Sequence, residues 1–333
     1  MDRTLTIALT GDVMLGRGVN DVLAWRGPAY PWGDLLPTLR QADALLINLE
    51  CALTSRTARW HDGEYKPFYF RSDPANVAAL QTAGVSFASL ANNHSLDYGA
   101  EGLLETIAVL DRAGIAHAGA GPDRAAARAP ARLTVGGRRV AVVAFADYPA
   151  EWAAGPSAPG INYTPVSLAE EDFATVRAAL ADARAGADLV VFSIHWGPNM
   201  RLRPSPEFRA FARAVVAAGA DVFWGHSAHV VQGIELWQGR PILYDSGDFL
   251  DDYAVDPDLR NDRSALFLLR VRPPEIVGLE LLPVQLDYAQ VNRARGADRA
   301  WIVERLAALC AEFGTALVDD GERLAVVPAE GTA

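Results

Sequence analysis

The sequence predicts an α/β fold, on two observations. Short β-branched apolar runs alternate with amphipathic helical patterns, and polar residues gather directly after the apolar runs. Such alternation builds a parallel sheet, because each parallel strand needs a crossover, usually a helix, to bring the chain back. In order, the apolar β-branched runs predict strands at 5–10, 44–48, 85–90, 140–146, 189–194 and 222–224. Amphipathic periodicity between them predicts helices near 74–83, 99–113, 167–185 and 206–218. After Gly225 the runs become closely spaced, at 230–237, 241–244, 265–271 and 277–284, so a parallel βα region passes into an antiparallel one. A further helix is expected over 297–313, then strands at 315–318 and 324–327 around the turn 319–321, and irregular loops near 56–63 and 148–162. There is no internal repeat and no long linker.

The chain has 333 residues, half of them hydrophobic, with 30 Lys and Arg against 41 Asp and Glu, a formal charge of −11. That balance excludes a disordered or collagen-like chain, and the length suits one large domain or two small ones. A nucleic-acid or anionic-membrane partner is not expected, because such binding needs a basic footprint. No signal-peptide pattern opens the sequence and no apolar run of about 18 residues could span a bilayer, so a soluble, cytoplasmic protein is expected. Cys51 and Cys310 are too few for a disulfide scaffold or a thiolate zinc site, and a single bridge between them is left open.

The functional signal lies in the residues directly after each strand. The run 5–10 leads into Gly11-Asp12, the run at 44–47 into Asn48-Leu49-Glu50, and the run 85–90 into Asn92-Asn93-His94. The run 189–194 ends in His195-Trp196-Gly197, and the run 222–224 in Gly225-His226-Ser227-Ala228-His229. Ligands of open α/β sheets bind beyond the carboxyl ends of the strands, so these five tips should converge. Four of the six histidines lie in them, whereas His61 and His117 do not. Imidazole, carboxylate and amide oxygen without thiolate suit Mn²⁺, Fe²⁺ or Zn²⁺. A carboxylate between two such ions can bridge them, and metal-assisted hydrolysis is the reaction class this donor set supports.

These segments, from Gly11 to Arg17 through Ala91-Asn92-Asn93-His94-Ser95-Leu96-Asp97-Tyr98-Gly99 to Gly225–Gln232, resemble the CapA-type proteins named for poly-γ-glutamate capsule biosynthesis. Phe68–Arg71 and the Asp245–Phe249 loop match as well, and the resemblance runs from about residue 4 to about 327. That family is similar to the calcineurin-like metallophosphoesterases, which implies a four-layer α/β/β/α sandwich with mixed sheets and one or two divalent ions (Mn, Fe or Zn) per chain. It implies a catalytic domain over 1–285, with 286–333 as a C-terminal helix and short hairpin packed on the same domain. It further implies Asp12 as a ligand of a first metal, Glu50 as the bridging carboxylate, and Asn93, His195 and His226 as ligands of a second, with His229 returning to the first. His94 would protonate the leaving oxygen or steady the transition state. The chain departs from the wider superfamily in three places. Met14 stands where its first motif has histidine, which predicts a first metal weakly held or absent; Glu50 replaces a shorter aspartate; and His226 and His229 are spaced His-x-x-His, which a local bulge would have to accommodate.

Around this set, Arg17 is expected to hold an anionic group by its guanidinium or to pair with a nearby acid. Lys66, the one lysine, and Arg71 flank an aromatic strand at 67–70 and would give a positive rim. Asp97 should orient His94 or cap the helix near Gly99, Asn48 should touch substrate, and Trp196 should line the pocket or pack. Asp245, Asp248, Asp251 and Asp252 read as a solvated acidic loop, with an outer ligand as the alternative. The glycines at 11, 16 and 18 do not match a phosphate loop or a dinucleotide fingerprint. The expected function is hydrolysis of a small anionic substrate, a phosphoester, by a metal-activated water. The alternatives are amide or γ-glutamyl chemistry and a non-catalytic binding module.

Overall fold

Two mixed sheets face each other across a shared apolar interior in the computed structural model, which describes residues 3–61, 63 and 66–329. The strand Arg138–Ala146 shows how the layers arise, because successive side chains of a strand point to opposite faces. Val140, Val142, Ala144 and Ala146 join the core between the sheets. Ala141, Val143 and Phe145 join a second core, built with Phe173, Val176 and Leu180 of helix Glu170–Arg184 and Phe211, Ala212 and Val215 of helix Pro206–Ala217. Helices Val77–Ala83 and Gly99–Ala113 bury Leu80, Leu103 and Leu110 against the first sheet. The result is the four-layer α/β/β/α sandwich.

The first sheet runs Thr315–Asp319, Leu324–Pro328, Glu275–Asp287, Arg263–Arg272, Leu5–Val13, Ala44–Leu49, Val85–Ser89 and Ala116–Ala118. The second runs Ile234–Trp237, Arg240–Leu243, Val222–His226, Leu189–His195, Arg138–Ala146 and Ala131–Val135. In each, the strands bearing the expected tips are parallel, so their carboxyl ends share one edge. The indole of Trp224 donates to the Thr10 carbonyl at 2.9 Å and ties the two sheets together beside that edge.

Helix boundaries reflect local chemistry. The Ser205 hydroxyl caps Pro206–Ala217, and Gly84 and Gly114 end their helices in the left-handed region that glycine enters without strain. Helix Arg17–Arg26, which the sequence does not announce, has neither a capping side chain nor an acidic first turn.

Several expectations are corrected. The antiparallel part is divided between the sheets: Ile234–Trp237 and Arg240–Leu243 close the second, while Arg263–Arg272 returns to flank Leu5–Val13 in the first and Glu275–Asp287 pairs outside it. The strand expected over 230–237 begins only at Ile234, because Ser227 and His229 take positive φ and turn the chain. The aromatic run at 67–70 is not a strand, and pairing starts at Arg71–Ser72 against Ala52–Leu53. Within the loop at 148–162, Gly160–Ile161 pairs with Ala120–Gly121. The loop at 56–63 includes position 62, which lies outside the described residues. Cys51 and Cys310 are both free and buried, with no bridge between them. Among the described residues no helix is long and apolar enough to cross a membrane.

Candidate metal centre

The site begins with an irregularity in Leu5–Val13. Its register against Ala44–Leu49 shifts between Leu9 and Asp12, and Gly11 sits in the gap. A Cβ at Gly11 would lie 1.8 Å from the Gly247 carbonyl oxygen, so only glycine lets the segment after Leu243 pass this close. That oxygen accepts from the Asp12 amide at 2.9 Å, and the short strand Asp248–Leu250 then runs parallel to Leu5–Val13 with Asp12 opposite Asp248.

The second sheet supplies imidazoles by the same logic. His195 and His226 end neighbouring parallel strands and are register partners, with Nδ1 atoms 3.0 Å apart. Both Nδ1 atoms approach Asp12 Oδ1, at 3.9 Å from His195 and 3.7 Å from His226. The bulge that the His-x-x-His spacing requires is present as the positive φ of Ser227 (120°) and His229 (59°), conformations that cost non-glycine residues about 1–3 kcal/mol each. It swings His229 away from His226, so that Nδ1 lies 2.8 Å from Asp248 Oδ1 and 3.5 Å from Asp12 Oδ2.

Two donor clusters result, Asp12 with His195 and His226, and Asp12 with Glu50, His229 and Asp248; in each the candidate ligand atoms lie within 4.8 Å of one another. Glu50 faces both, since its Oε1 is 3.7 Å from His195 Nε2 and 3.9 Å from His94 Nε2. The donors are available: Asp12 Oδ2, Glu50 Oε1, Asp248 Oδ2, His195 Nε2 and Asn93 Oδ1 are buried without a hydrogen-bond partner. Buried polar atoms are ordinarily satisfied, so five orphans converging on one edge fit a divalent cation.

The electrostatics agree. Burial pushes the Asp12 and Glu50 carboxyls well above the usual range, and Asp248 likewise, where Asp251 and Asp245 add to the effect. Burial holds His226 down to about 3 and His195 well below its ordinary value, which leaves both rings neutral and able to bind metal. His229 goes the other way: burial opposes its charge, but Glu50 and Asp12 outweigh that and raise it.

Beside the clusters, His94 lines a cavity of about 1070 Å³ with Asn93, His195 and His229. Its Nδ1 lies 2.7 Å from Asp97 Oδ2, and the ring stacks on Phe70 with centroids 3.9 Å apart. Asp97 also accepts from the Phe70 amide and lies 3.2 Å from Lys66 Nζ, so it orients His94; the helix after Tyr98 has no side-chain cap. Arg17, at φ 51°, lines the cavity with its guanidinium 5.6 Å from the Phe70 ring centre and its Nε 3.3 Å from Asp252 Oδ2.

Other expected residues are placed differently. Asn48 is buried against Asp12 and His195, outside the cavity lining, and donates to Asp12 Oδ1 at 2.7 Å. Arg71 donates to the Thr54 carbonyl and lies over Tyr98, outside the cavity lining. Trp196 packs on Phe208 and Phe223 and donates to the Tyr244 carbonyl, also outside the lining. The acidic loop is not solvated: Asp245, Asp248 and Asp251 are buried, because this segment threads between Leu5–Val13 and the second sheet. Tyr253, which donates to Glu50 Oε2 at 3.2 Å, and Asp147, on the cavity wall, carry no sequence signal beyond lying near a strand tip. Met14 turns its sulfur to accept from the Gly16 amide at 2.9 Å.

Comparison with known proteins gives the family. The family profile described as bacterial capsule synthesis protein PGA_cap matches residues 6–253. A Mycobacterium tuberculosis (strain H37Rv) protein named "Probable polyglutamine synthesis accessory protein" is 34% identical across 98% of this chain and 96% of its own length. The capsule biosynthesis protein CapA of Bacillus anthracis is 30% identical over 85% of this chain and 68% of its own, and the PGA biosynthesis protein CapA of Bacillus subtilis 28% over 86% and 73%. With about three quarters of its length matched, including every tip that carries an imidazole or carboxylate donor, the chain belongs to the bacterial capsule synthesis protein PGA_cap family.

Proposed function

We propose that the protein is a metal-dependent hydrolase acting on a phosphoester. The observation that carries this is the pair of buried donor clusters sharing Asp12 on the edge that His94 and the cavity also occupy. Asp12, Glu50 and His229 would hold one ion and Asn93, His195 and His226 a second, with Asp12 and Glu50 facing both. Divalent ions there would polarise phosphoryl oxygens and lower the pKa of a bound water.

The chain's own groups supply the rest. Asn48 fixes Asp12, the residue the two clusters share, by its amide. Asp97 holds His94 by Nδ1, which presents Nε2 for a proton passed to the leaving oxygen; burial holds that ring below its ordinary value, and the Asp97 carboxylate works against this. Arg17 and Lys66 give the cavity wall its positive groups, suited to an anionic ester. The same centre can direct water at a carbonyl. The names of the relatives therefore favour, as a second reading, amide or γ-glutamyl chemistry.

The test is elemental analysis of tag-free protein alongside cleavage of a generic aryl phosphate. Bound metal and phosphate release are expected, both lost in Glu50→Ala and His226→Ala. Metal and cleavage undiminished in both variants would refute the proposal. Cleavage of γ-glutamyl peptides with none of phosphates would select the second reading, and no metal after reconstitution would leave a binding module.

A further inference from the structure

We propose that Asp248 is a metal ligand, taking the place left by Met14 and making that position of the centre selective for a hard, oxygen-seeking ion. The inference rests on the metal reading of the site and adds to it a residue outside the strand-tip motifs.

The fold places Asp248 there and the local contacts leave it suited to the role. Backbone pairing sets it opposite Asp12, through the close approach that Gly11 permits. Its two oxygens are differently engaged: Oδ1 is 2.8 Å from His229 Nδ1, while Oδ2 is buried without a direct hydrogen bond, and the Asp251 and Asn261 side chains lie against the same carboxyl. Asp12 Oδ2 and Glu50 Oε1 are likewise buried and unpartnered, and one oxygen from each of the three carboxylates lies within 4.8 Å of the others and of a His229 nitrogen. The thioether of Met14 is turned to the Gly16 amide, and Asp248 is the fourth member of the donor cluster with Asp12, Glu50 and His229.

The donor types separate the two positions. Asp12, Glu50 and Asp248 with one imidazole form an oxygen-rich set, which suits Mn²⁺, Fe²⁺ or Mg²⁺. Asp12 with His195 and His226 is richer in nitrogen and accepts Zn²⁺ readily. The two positions should therefore differ in affinity and in preferred ion.

The experiment compares the metal-stripped protein with Asp248→Asn, an isosteric change, in equilibrium dialysis against MnCl₂ with elemental analysis. Two Mn²⁺ per chain are expected for the original protein. In the variant one is retained and the other is lost or bound at least 10-fold more weakly. Folding is read separately from melting in EDTA: removing one of three crowded carboxylates should leave the metal-free variant at least as stable, while the rise in Tm on adding Mn²⁺ shrinks. Equal Mn²⁺ stoichiometry and affinity in the two proteins would overturn the assignment of Asp248 alone. An original protein that takes up no metal would overturn it together with the metal reading.

Discussion

Asp97 illustrates how much a single side chain settles at this site. One of its oxygens accepts from the Phe70 amide and meets His94 Nδ1, and the other faces Lys66. Replacing it with asparagine keeps the shape but removes the charge that supports a protonated His94. Aryl phosphate cleavage by Asp97→Asn should fall about 10–100-fold with metal content unchanged, as for other groups that orient a catalytic histidine or a ligand. His94→Ala should cost about 10²–10⁴-fold, the usual contribution of a general acid. Steady-state rates set against elemental analysis check both, and a loss of metal in either variant would reassign His94 to the ligands.

Among the elements, the strand Leu5–Val13 bears the most constraint. It pairs antiparallel with Arg263–Arg272 over Leu5–Leu9, then parallel with Asp248–Leu250 over its last residues, and Gly11 lies at the change. Gly11→Ala forces its Cβ against the Gly247 backbone, and backbone cannot swing aside as a long side chain would. The expected loss is about 1–3 kcal/mol or more of stability, from overpacking. Metal affinity should weaken as well, because Asp248 moves with Gly247. Denaturant unfolding of metal-free protein and Mn²⁺ titration read the two effects separately, and an alanine variant as stable as the original would show that the strand can slip. The neighbouring tips are legible because each lies directly after an apolar run that has to be a buried strand. The 67–70 segment and the start of the 230–237 run mislead because apolar character signals burial, not pairing.

Across the whole molecule, the buried carboxyls make stability depend on pH. Burial raises Asp245 to about 7 and Asp251 to about 6, whereas unfolded carboxyls titrate near ~4. Above that value the folded, metal-free chain holds protons that the unfolded chain has released, so stability falls as pH rises through the folded values, by up to about 1.4 kcal/mol per pH unit for each group. His195 and His226 act in the opposite sense, but only below the unfolded imidazole value of ~6.5, since above it both states are neutral. The metal-free protein should therefore melt at a lower temperature at pH 8 than at pH 6.5. The gain in Tm from Mn²⁺ should grow over the same interval, because binding requires the carboxylates. Calorimetry with EDTA and with Mn²⁺ tests this; a flat metal-free profile would contradict it.

The alternation of strands and helices and the strand tips are readable from the chain because strand burial, helix period and the rule that ligands sit beyond parallel strand ends are local or nearly local consequences of residue type, whereas the four-layer order is implied only by the family resemblance. Asp12, Glu50, Asn93, His94, His195, His226 and His229 stand out on that basis, and the fold brings them to one edge. The features that the chain does not disclose depend on contacts between distant segments. Asp248 reaches Asp12 from 236 residues away through a three-residue strand whose pairing has no local signature. The acidic loop is buried because of the strands that pack over it, Arg71 and Trp196 lie next to site residues in sequence yet turn to other partners, and Met14 faces a backbone amide. Side-chain direction at a strand tip is set by the neighbouring strand and its register, and those exist only once the sheet has formed.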